Sequence, residues 1–107
     1  MTTTNQNSSE IILINIFTVE PQKQQQAAEK IAEIYKTFVS KQPGFISARV
    51  QKSLNGTKVA ATAQWQSQEA LSNMQQNPDF QALVKILEGD ILNAEPDSYQ
   101  IVYAVNI

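Results

Sequence analysis

Thr62-Ala63-Gln64-Trp65-Gln66-Ser67-Gln68-Glu69-Ala70 carries an alternating strand directly into a helix. Ala63 and Trp65 alternate with Thr62 and Gln64, the period of a half-buried strand. Ser67 is a natural N-cap, because its hydroxyl can accept from a first-turn N–H. Just upstream, Asn55-Gly56 is a strong short-range hairpin signal. Read as a two-residue type I′ loop, it sets Leu54 opposite Thr57, Val50 opposite Ala61, Ala48 opposite Ala63 and Ile46 opposite Trp65. One face of the hairpin is then Ile46, Ala48, Val50, Ala61, Ala63 and Trp65. The other is Ser47, Arg49, Gln51, Ala60, Thr62 and Gln64. A slip by one residue would mix these sets, so the clean division supports the register.

Outward from the hairpin, the pattern predicts a strand over 10–19. Ile11, Leu13 and Phe17 lie on one side of it and Ile12, Ile14 and Ile16 on the other. Apolar on both faces, it should be central, and Asn15 is the polar exception. Pro21 suits a first helical turn. Ala27, Ala28, Ile31, Ile34, Tyr35 and Phe38 then recur at helical spacing, predicting a helix over 21–41 that Pro43-Gly44 terminates. The hairpin strands occupy 45–53 and 57–66. A short helix over 69–76 breaks at Asn77-Pro78. A second over 79–92 buries Phe80, Leu83, Val84, Leu87 and Ile91, followed by a loop over 93–97. A last strand is expected over 98–107, with Tyr99, Ile101, Tyr103 and Val105 alternating. Residues 1–9 read as a disordered polar tail, leaving one domain over 10–107.

The order β-α-β-β-α-β is the split unit of an α+β, ferredoxin-like protomer: an antiparallel sheet with helices on one face. In this reading the first and last strands are apolar on the uncovered face as well. A bare apolar sheet is a poor monomer surface, so a homodimer is expected.

Composition removes several chemistries. The 107 residues contain no cysteine and no histidine, which excludes disulfides, thiol nucleophiles, His-dependent triads and imidazole-ligated metal or haem. Acidic residues do not cluster as ligands, so no metal site is expected. The eight basic residues are scattered and net charge is −2, against a nucleic-acid or membrane partner. The start of the chain lacks a charged n-region and the apolar run after it is short, so a cytoplasmic protein is expected.

Trp65 with Ala48, Ala61 and Ala63 makes a low floor beneath the helical layer. Tyr35, Phe38, Leu71, Met74, Phe80 and Leu83 are placed to descend on it. Two outcomes stay open: these side chains fill the space as ordinary core, or they line a pocket for a small apolar or aromatic molecule. Asn15 is the polar group available to such a pocket. A buried amide left without partners costs about 1–3 kcal/mol, so it either bonds locally or meets a ligand. Arg49 lies on the opposite face and reads as part of a polar dimer seam or a solvent-facing patch, not as a ligand clamp. Gly44, Gly56 and Gly89 form no phosphate-binding loop, and Glu29 and Glu33 are a solvated pair.

The chain resembles the antibiotic biosynthesis monooxygenase (ABM) family over 10–107. The resemblance is carried by Ile14-Asn15-Ile16-Phe17-Thr18-Val19-Glu20-Pro21, Gln42-Pro43-Gly44-Phe45-Ile46-Ser47-Ala48, Asn55-Gly56-Thr57 and Ala63-Gln64-Trp65-Gln66-Ser67-Gln68-Glu69-Ala70. It implies a dimeric α/β barrel of ferredoxin-like protomers. It also implies oxidation of an aromatic substrate by dioxygen with no flavin, metal or haem cofactor, the substrate's deprotonated ring supplying the electron. In one branch a functional tryptophan matches Trp65, while an asparagine four positions earlier falls on Ala61 and a tyrosine six positions later falls on Leu71. The first-strand asparagine of the haem-degrading branch matches Asn15, but the position of its axial histidine is Val84. The resemblance thus implies a cofactor-independent monooxygenase of a small aromatic or quinol-like compound. Asn15 would bond a substrate oxygen or dioxygen, and Trp65 would floor the pocket. The alternative is a non-catalytic dimer that binds a small apolar metabolite.

Overall fold

In the computed structural model, residues 10–105 are described. The β-branched run of the first strand forms β1 (Ile11–Thr18), and Pro21 opens a 3-10 turn (Pro21–Lys23) that leads into α1 (Gln24–Thr37). A second 3-10 turn (Val39–Lys41) follows. Then come β2 (Phe45–Lys52), β3 (Lys58–Trp65), α2 (Gln68–Gln75), α3 (Pro78–Val84) and β4 (Asn93–Tyr99). The strands form one antiparallel sheet in the order β2-β3-β1-β4, and the fold is α+β and ferredoxin-like. The long helices expected over 21–41 and 79–92 are shorter. The first is bracketed by 3-10 turns, and the second becomes a 3-10 turn at Lys85–Leu87. The proposed tail over 1–9 lies outside the described residues.

The cap read from the sequence at Ser67 forms, and Asn77, read only as a break, caps the next helix. Ser67 Oγ accepts from Ala70 N at 3.1 Å, and Asn77 Oδ1 accepts from Asp79 N at 2.8 Å with Pro78 at the first helical position. Both satisfy N–H groups that the start of a helix leaves without intrahelical partners.

Two features of the hairpin differ from expectation. The turn is not type I′: Gly56 N donates to Ser53 O at 3.2 Å. Gly56 has φ of +84°, but Asn55 does not have positive φ, whereas type I′ needs it at both central residues. Asn55 Oδ1 instead accepts from Thr57 N at 3.1 Å and Thr57 Oγ1 at 2.8 Å, an Asx-type closure. The longer connection preserves the inner register, with Val50 opposite Ala61 and Ala48 opposite Ala63. At the far end a bulge between Phe45 and Ser47 breaks it, so Phe45, not Ile46, faces Trp65. Ile46 is turned outward and exposed.

The last strand also moves. Leu92 N donates to Thr18 O at 2.8 Å, and pairing begins at Asn93 opposite Thr18 and ends at Tyr99 opposite Ile12. The segment expected as loop is therefore the strand, and the apolar residues after Tyr99 lie beyond the start of β1. Ile101, Val102, Tyr103 and Val105 are exposed and not in a strand. On the uncovered face, Ile12, Ile14 and Ile16 stand beside Tyr99, Asp97 and Glu95, so β4 does not extend the apolar surface there.

The core lies between the helices and the covered face of β1 and β3. Leu13 and Phe17 alternate on β1, and Val59, Ala61, Ala63 and Trp65 on β3, all buried. Ala27, Ile31 and Ile34 of α1 and Leu71 and Met74 of α2 cover them. Two polar fasteners hold the layers. Gln24 is buried, and its Nε2 donates at 2.9 Å to Ser53 O and to Lys58 O, pinning α1 to the hairpin. Asp90 is also buried. It accepts from Lys30 Nζ at 2.6 Å and Gln26 Nε2 at 2.7 Å, tying the segment after α3 to α1.

Candidate active site

Because Asn15 alternates in phase with Leu13 and Phe17, its side chain faces the helices. There the sheet offers only small groups beside it: Ala61 opposite on β3 and Pro96 opposite on β4. A pleated sheet with an alanine and a proline flanking a short amide leaves room above it. That room is a cavity of about 270 Å³ between the sheet, α1, α2 and the segment from α3 to β4. Ile31, Ile34, Met74, Phe80, Leu87 and Ile91 supply most of its wall. An apolar cavity of about 150 Å³ already accommodates benzene, so this one is of small-molecule size.

Its polar wall is sparse: Asn15, Tyr35 and Gln75. Asn15 Oδ1 is buried and has no hydrogen-bond partner among the described residues. Tyr35 makes no hydrogen bond among them either, and burial pushes its phenol up to about 12, because desolvation opposes the phenolate. No carboxylate, lysine or arginine lines the cavity. Among the described residues no group of acidic side chains is placed to hold a metal ion, and no helix is long and apolar enough to cross a membrane.

Of the residues singled out in the sequence, Asn15, Tyr35, Met74 and Phe80 meet on this wall. Phe38 stands behind it, stacked on Phe80 with ring centroids 6.3 Å apart. Leu71, Ala61 and Ala63 are buried core and do not line it, and Leu83 packs at the margin of the core. Ala48 is exposed: it belongs to the edge strand and borders an outer groove instead of the covered floor. Trp65 is fully buried beneath the helical layer, but it packs edge-to-face on Phe45 at 5.5 Å and is not on the cavity wall. It sits four residues along β3 from Ala61, roughly 13 Å at the rise of a strand. Its Nε1 is the other buried side-chain atom without a partner among the described residues.

The wall residues missed in the sequence divide by signal. Leu13 and Phe17 share the two-residue period of Asn15, and Val84, Leu87 and Ile91 show helical spacing, so both sets were visible as core. Ala94 and Pro96 carried no signal, since Asn93–Tyr99 has the composition of a loop.

The family profile described as Antibiotic biosynthesis monooxygenase matches residues 10–86. The tetracenomycin-F1 monooxygenase of Streptomyces glaucescens is 32% identical over 69 residues, a match spanning 64% of this chain and 62% of that protein. Among solved structures, the monooxygenase ActVA-Orf6 of Streptomyces coelicolor, in complex with the ligand nanaomycin D, superimposes with a TM-score of 0.83 at 22% identity. That superposition covers 95% of this chain and 96% of the other. SnoaB, a cofactor-independent oxygenase from Streptomyces nogalater, gives a TM-score of 0.73 at 18% identity, covering 91% and 97%. The last two likenesses speak to the fold, and the profile speaks to descent. This chain belongs to the antibiotic biosynthesis monooxygenase family.

Proposed function

We propose that this protein is a cofactor-independent monooxygenase that oxidises a small aromatic or quinol-like compound with dioxygen in the cavity above Asn15. The carrying observation is the buried Oδ1 of Asn15, unpartnered among the described residues, in a mostly apolar chamber of about 270 Å³. A buried acceptor without a protein partner is placed to take a hydrogen bond from an arriving phenolic O–H. Family membership and a relative named for monooxygenase activity support the reaction class.

In this reading the ring itself donates electrons to dioxygen, one oxygen atom enters the substrate and the other leaves as water. The protein's part is placement and exclusion of water. Asn15 fixes the hydroxyl-bearing edge, the apolar wall holds the ring, and Trp65 supports the chamber from outside. The assembly is a homodimer, supported by the half-buried row Ile12, Ile14 and Ile16 on the uncovered face and by the exposed apolar residues after Tyr99. Oxygen uptake with dihydroquinones and anthrones tests the activity. Turnover should fall at least about tenfold in Asn15→Ala, a loss of roughly 1.4 kcal/mol, and absence of turnover across the panel sinks the proposal.

One observation favours a second reading, a binding protein without catalysis. Tyr35 is the one ionisable side chain on the wall, and a phenol displaced to about 12 is no base at neutral pH. Quinols that raise the melting temperature without consuming oxygen would decide for it.

A further inference from the structure

A second concavity lies outside the core, between α1 and the free edge of β2, with a volume of about 420 Å³. Its floor is apolar, formed by Phe45, Ala48 and Val50, and its rim carries Lys36 and Arg49. Neither cation forms an ion pair among the described residues, since Lys23 and Lys30 make the ones that are present. Among the described residues, Tyr35 alone borders both this groove and the inner cavity.

Two cations unpaired among the described residues, over an apolar floor, make a binding pattern for an apolar body ending in an anion. The protein as a whole carries a net charge of −2, so its general field repels anions and any such affinity must be local. We propose that this groove binds a small aromatic carboxylate, with the ring on Phe45, Ala48 and Val50 and the carboxylate received by Lys36 and Arg49. The proposal is independent of the oxygenase reading, which concerns the other side of Tyr35. Arg49 also borders a hollow on the uncovered sheet face, so it straddles the edge of β2, and Lys36 is the residue that distinguishes the two places.

The probe is 2-naphthoate, with neutral 2-naphthamide as control, titrated into the full chain near neutral pH and followed by backbone amide chemical shifts. Naphthoate should bind at least about fivefold more tightly than the amide. Lys36→Gln and Arg49→Gln should each weaken it by about fivefold, and added salt should weaken it further. Shifts should map to Lys36, Phe45 and Val50, and Asn15→Leu, which alters the inner cavity alone, should leave binding unchanged. Equal affinity for the amide, loss of binding in Asn15→Leu, or sensitivity to Arg49→Gln without sensitivity to Lys36→Gln would each overturn the assignment.

Discussion

Asn15 stands directly opposite Ala61 on the covered face of the sheet, and its carboxamide oxygen has no partner there. Ala61 presents only a methyl group, which leaves the facing amide unanswered. An unsatisfied buried acceptor costs about 1–3 kcal/mol. Asn15→Leu should therefore raise the stability of the free protein by about 1 kcal/mol in urea unfolding while weakening retention of phenolic ligands. A loss of stability would show that the amide is satisfied in solution.

Tyr35 gives a pH signature of opposite origin. Burial raises its folded pKa to about 12, above an unfolded value of about 10. The neutral phenol therefore adds stability below about pH 10, and that contribution disappears as pH climbs through about 12. An ultraviolet titration of wild type against Tyr35→Phe should place the missing step near pH 12. The pH dependence of any turnover should keep its shape in the variant.

The Asp90 fastener works in the acid range. The hydrogen bond from Lys30 holds its carboxyl below the usual value, helped by the Lys30 charge and Gln26 and opposed by burial. A depressed folded pKa adds stability above the unfolded value of about 4, and this is lost as pH falls through the lower folded value. Wild type should exceed Asp90→Asn in stability at pH 6, and the gap should close toward pH 3. Hydrogen exchange should quicken in Leu87 and Ile91 of the variant, since these wall residues flank the fastener.

Gly44 meets two demands at once. Its φ is +87°, and a Cβ there would collide with the Cβ of Ala70, while its carbonyl accepts from Gln66 N at 2.8 Å. Gly44→Ala should destabilise by at least about 2 kcal/mol, from backbone strain and overlap together. Adding Ala70→Gly should recover part of this by removing the collision and leaving the strain. No recovery would assign the whole cost to the backbone.

Trp65 separates support from contact. Trp65→Ala should cost about 3–5 kcal/mol through the cavity it opens. Trp65→Phe should keep most of the packing on Phe45 and retain ligand affinity within about threefold, as expected for a side chain off the wall. A larger selective loss of affinity would place the indole against the ligand.

The elements legible in the sequence were those whose signals are local. The helix start at Ser67, the proline at position 78 and the two-sided apolar β1 follow from side chains within a few residues. The inner hairpin register survived a wrong turn type, because the alternating alanines of β3 reject any slip. The bulge at Ile46 left no such mark, since it answers to the packing of Phe45 on Trp65. The place of β4 was misread for a related reason. The best alternating pattern begins at Tyr99, yet pairing is anchored by Leu92 on Thr18, and β1 runs out just past the partner of Tyr99, Ile12. The β4 part of the chamber wall inherits this difficulty, because Ala94 and Pro96 reach the cavity only through that distant pairing.

Pro96 has a consequence at the sheet's outer margin. Proline brings no N–H, and it sits between Glu95 and Asp97 on the terminal strand. That border is thus both short of donors and negatively charged, a known deterrent to uncontrolled lamination of sheets. Any chain that lengthens this sheet by strand addition must do so at the opposite margin.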